Sequence, residues 1–105
     1  MHPTKSYIRY LTHEDRVRCQ IELQKGRVKR FTIQYEIFIQ GKWSSVTRFD
    51  TFHNAVHRDL VLPDGEVIKK WYFQLDFDEG LNFAYNDIEM NWEKYREWYI
   101  SKVRR

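Results

Sequence analysis

The chain has 105 residues, 42% hydrophobic and 17% aromatic, with a formal charge of +3 from 18 basic and 15 acidic side chains. That length suits one domain, the apolar fraction excludes a disordered chain, and so small a charge does not by itself mark a nucleic-acid binder. The one cysteine, Cys19, excludes an internal disulfide and suits a reducing cytoplasm, while no stretch approaches the ~20 apolar residues of a membrane span and the first residues lack the apolar core of a signal peptide.

Residues 6–11 are a candidate edge strand. In residues 16–24, Val17, Cys19, Ile21 and Leu23 alternate with Arg16, Arg18, Gln20 and Glu22, which predicts a strand with one buried face and an inward, inert Cys19. Lys25-Gly26 reads as a hairpin turn. The next strand puts Phe31, Ile33, Tyr35, Ile37 and Ile39 on one side and Arg30, Thr32, Gln34 and Glu36 on the other. After a second turn at Gln40-Gly41, residues 42–50 alternate less cleanly. Strict parity there places Trp43 with Phe49, and Val46 with Arg48 and Asp50. Residues 51–57 read as a loop. Apolar runs at 60–62 and 67–73 flank Pro63-Asp64-Gly65 and predict a second hairpin.

Asp76 and Glu79 have the spacing of a capping box. Behind them Phe77, Leu81, Ala84, Ile88, Trp92, Tyr95, Tyr99 and Val103 recur at three and four residues, which predicts an amphipathic helix over 77–103. Gly80 is expected to weaken its first turn. Phe83 and Met90 fall off the stripe and are candidates for contact with a partner helix or a second copy. The expected architecture is therefore α+β, an antiparallel meander of about five strands packed by one long C-terminal helix, in a single domain spanning residues 1–105.

Chemistry concentrates in residues 48–59, which hold Arg48, Asp50, His53, His57, Arg58 and Asp59. Arginines fork onto phosphates, and a histidine can take a proton from a ribose 2′-hydroxyl. On that reading Arg48 and Arg58 bind RNA, while His53 and His57 are acid/base candidates with Asp50 orienting one of them. No cofactor motif is visible, and the reaction needs none. Two other readings stay open. His53, His57, Asp50 and Asp59 could hold a divalent metal, although the His-x-x-x-His spacing is specific only on a helix. Alternatively, the cluster is structural, with Arg48 and Asp50 paired to Arg58 and Asp59 in a cross-strand ladder; the alternative function is a non-enzymatic module that binds a protein through its sheet edge or the Phe83 and Met90 strip.

The run Arg48, Phe49, Asp50, His53, His57 and Arg58 resembles the signature of TumE-type toxins of prokaryotic toxin–antitoxin systems. In those motifs Tyr, Asn and Gly are usual where Phe49, Thr51 and Asn54 stand here. The resemblance implies a cytoplasmic prokaryotic protein that acts on RNA or translation, a metal-independent ribonuclease being one form of this. It also implies restraint by a helix-turn-helix antitoxin.

Overall fold

The structure, a computed structural model, describes residues 3–104. Six strands precede one helix: β1 (Thr4–Thr12), β2 (Asp15–Gln24), β3 (Arg27–Ile39), β4 (Lys42–Asp50), β5 (His57–Val61), β6 (Val67–Trp71) and α1 (Phe77–Val103). The strands form one antiparallel sheet in the order β1-β2-β3-β4-β5-β6. The sheet therefore has six strands rather than about five, the sixth being the edge candidate at residues 6–11. Its tight turns, Lys25-Gly26 and Gln40-Gly41, place all four residues at positive φ. That is the backbone geometry whose twist matches that of the flanking strands.

The alternation in β2 and β3 buries Val17, Cys19, Ile21, Phe31, Ile33, Tyr35 and Ile37 under α1. Burial pushes the Cys19 thiol up to about 11, so it behaves as a small apolar side chain. In β4 strict parity fails. Tyr35 pairs with Thr47 and Glu36 with Ser45, leaving Val46 as the extra residue of a β-bulge. The bulge reverses parity, so Trp43 does not share a face with Phe49. Trp43 lies instead among Phe38, Tyr10 and Arg16 on the side away from the helix. Val46 and Thr47 are both fully buried, although they are adjacent in sequence.

α1 begins as expected. The Asp76 side chain accepts from the Glu79 amide, and the Glu79 side chain accepts from the Asp76 amide. Asp78 then accepts from the Val28 amide and pairs with Arg27, tying the helix start to the start of β3. At the far end, Arg96 reaches buried Asp15, which also accepts from the Tyr35 hydroxyl. Helix and strand thus run in the same direction. Their lengths also match: the 27 residues of α1 rise ~40 Å and the 13 of β3 span ~44 Å. Phe83 does not lie free on the far side of α1, because its ring packs on Phe49 and Tyr72. Gly80 is buried, and a Cβ there would come within 2.5 Å of the Val56 side chain. Among the described residues, no helix is long and apolar enough to cross a membrane.

Candidate functional site

One face of the sheet carries α1 and the other is uncovered. The pairing register lays side chains across the open face in rows. One row, with one residue from each strand, is Ser6, Gln20, Thr32, Asp50, His57 and Trp71. The next is Ile8, Arg18, Gln34, Arg48, Asp59 and Lys69. A third brings Tyr10, Arg16, Glu36 and Ser45 together. A functional segment on β4 and β5 therefore faces out over the whole width of the sheet.

At the centre of these rows Arg48 donates to Asp59 at 2.8 Å and lies 3.5 Å from Asp50. Lys69 donates to the second Asp59 oxygen at 2.9 Å. His57 Nε2 is 2.9 Å from Asp50 Oδ1, and its Nδ1 is 3.2 Å from the Ala55 carbonyl. Both ring nitrogens thus meet oxygens, and the Trp71 ring lies 4.8 Å away over the imidazole. With 1% of its surface exposed, His57 holds the turn between β4 and β5 and is closed to a substrate. Burial by itself would raise the Asp59 carboxyl, but hydrogen bonds from Arg48 and Lys69 outweigh it and hold the group below the ordinary Asp value.

Asp50, His57 and Asp59 offer ligand atoms that all lie within 4.8 Å of one another. Those atoms are already engaged, because Asp59 bonds two cationic side chains and Asp50 bonds His57. A divalent ion would have to bind against the charges of Arg48 and Lys69. The donor set fits an ion-pair network better than a metal centre.

His53 stands apart from this network. It lies in a single 3-10 turn, Phe52–Asn54, with its ring against Phe52. His53 and Asn54 both have positive φ, 65° and 61°. Such a backbone costs roughly 1 kcal/mol or more for a residue other than glycine, and it turns the loop outward. The turn forms one wall of a cleft of about 740 Å³ on the open face, lined also by Glu22, Lys29, Arg30, Thr32 and Asp50. Asp50 thus belongs both to the cleft and to the ion-pair network.

Arg58 lies elsewhere. It pairs with Phe49 across β4 and β5, and so occupies the helix side of the sheet. There it acts on the phenols of Tyr72 and Tyr95. Burial and the Asp87 hydrogen bond push the Tyr95 phenol up, and Arg58 opposes them. Arg48 and Arg58 are therefore separated by the sheet and cannot hold one phosphate between them. Of the helix candidates, Phe83 is partly absorbed by packing and Met90 remains 80% exposed.

The accessible charge of the open face is more positive than its composition. Its carboxylates, Glu22, Glu36, Asp50 and Asp59, are at most 22% exposed, whereas Arg18 and Arg30 are 53% and 65% exposed. Lys29, Arg30, Lys69 and Trp71 were outside the motif read from sequence. The signal for Lys69 and Trp71 was present in parity. They lie two apart in a strand whose hairpin turn, Pro63-Asp64-Gly65, sets them opposite Asp59 and His57.

Comparison with curated proteins and with solved structures finds no match for the chain. Across residues 1–105 the sequence fits the family model of a domain of unknown function, DUF7718, and the protein belongs to that family.

Proposed function

We propose that the open face of the sheet binds RNA through its phosphates, with the cleft beside His53 as the place where the strand is engaged. The observation that carries this is the recessed position of the carboxylates beneath protruding arginines. A polyanion crossing the rows meets Arg18 and Arg30 first, and the acids remain paired below. The motif likeness to TumE-type toxins favours RNA over other polyanions. Cleavage is the finer form of the reading, and its base is His53, the imidazole that lines the cleft. His57, enclosed by Asp50, Ala55 and Trp71, is a positioning residue. Attack would form the bond from the ribose 2′-oxygen to phosphorus and break the bond to the 5′-oxygen. The 2′-proton would go to His53, and the 5′-oxygen would take a proton from water. No metal takes part.

Fluorescence anisotropy with a labelled RNA, repeated over a range of salt concentrations, tests the binding. About three phosphate contacts give a log–log slope near −2, and Arg30→Ala should lower that slope by roughly 0.7. A salt-independent signal, or one indifferent to Arg18→Ala and Arg30→Ala together, would overturn the proposal. Incubation of total RNA with EDTA tests cleavage. The wild type should degrade it and His53→Ala should slow degradation by at least about a hundredfold. Equal, background-level degradation by both would leave a binding protein without nuclease activity.

A further inference from the structure

Row by row, the open face ends at β6 in a feature that the core does not require. Trp71 covers His57, and Phe73 lies flat on Trp71 with ring centroids 5.4 Å apart and planes 6° from parallel. Phe73 is 74% exposed, so its outer surface buries nothing. The Lys69 ammonium lies 5.5 Å from the centre of the Trp71 ring and is also bonded to Asp59. A flat aromatic surface and a cation beside it share the open face with the cleft that Arg30 and His53 line, and Trp71 lies in the same register row as Thr32 and Asp50 of that cleft. Base stacking on aromatic side chains needs only an unpaired base with a free π-face, whatever its identity.

We infer that the Phe73–Trp71 stack is a platform for one unpaired nucleobase, so that the RNA taken by this face is single-stranded where it crosses β6. This rests on the RNA reading above and adds to it the state of the strand. The phosphates would run over Arg18 and Arg30 towards the cleft, while a base turned out of the strand lies on the outer face of Phe73. A duplex would present only phosphates there, because its bases are already stacked on one another.

The test uses an oligoribonucleotide of about ten nucleotides, the same oligomer with abasic sites, and its duplex, each titrated against the full chain by fluorescence anisotropy. The wild type should prefer the intact single strand to the abasic oligomer and to the duplex by about tenfold. Phe73→Ala should lose that preference while binding the abasic oligomer as the wild type does, and Phe73→Trp should restore it. If Phe73→Ala binds the intact strand as tightly as the wild type, the platform is wrong and phosphate binding stands. If Phe73→Ala weakens intact and abasic oligomers equally, Phe73 acts through the fold and the inference falls. If the wild type binds none of the three, both this inference and the RNA reading fall.

Discussion

At the scale of single residues, the decisive fact is which side of a strand a charge occupies. Asp59 bonds Arg48 and Lys69 across two strand pairs while remaining almost wholly buried. Replacing it with Asn leaves two cations without their carboxylate, so Asp59→Asn should cost roughly 2 kcal/mol at neutral pH, read by urea denaturation. The pH dependence has a definite sign. The folded carboxyl lies below its unfolded value, so its stabilisation is fully present above the ordinary Asp value. It is lost as pH falls through the lowered folded value. The gap between wild type and Asp59→Asn should therefore be widest above about pH 5 and shrink below about pH 4. Sequence parity was enough to put Arg48 and Asp50 on one face. It did not separate Arg58 from them, because reading His57 as loop removed the parity of the residues after it. The strand starts at His57, and with that start Arg58 must face α1.

At the scale of elements, the helix was legible and the bulge was not. The capping box and the three-and-four spacing are local signals, and both recur unchanged in α1. A bulge depends on which residue of the partner strand is opposite, so the extra residue Val46 leaves little trace in its own sequence. Gly80 lies between these cases. Its position was plain, but its reason is the Val56 side chain against which the first turn packs. Ordinarily Gly→Ala inside a helix gains about 1 kcal/mol. Here the added methyl meets buried Val56, so Gly80→Ala should instead destabilise by about 1–3 kcal/mol. In a double-mutant cycle with Val56→Ala, the two changes should couple, the second relieving much of the first. Additive losses would mean that the contact does not set the helix approach.

At the scale of the molecule, alternation made it plain that one face of the sheet would be buried and one left polar. The relief of that polar face could not be read, because depth depends on the neighbours in each row. Glu36 is covered by Arg16 and Asp59 by Arg48 and Lys69, pairings that span two or more strands. The connectivity also has a kinetic consequence. Each strand hydrogen-bonds only to its neighbours in the chain. Every pairing in the sheet is therefore closed by a loop of a few residues, at little cost in chain entropy. Among the described residues, the docking of α1 on the sheet is what joins distant segments. Such low contact order predicts refolding within roughly milliseconds, followed by stopped-flow fluorescence of the four tryptophans. Ile33→Ala, in the central strand, should mainly slow folding, and Ile88→Ala, on the helix, should mainly speed unfolding. The helix would then act as a late clasp: the sheet comes together from the chain's own succession, and α1 sets how long it stays together.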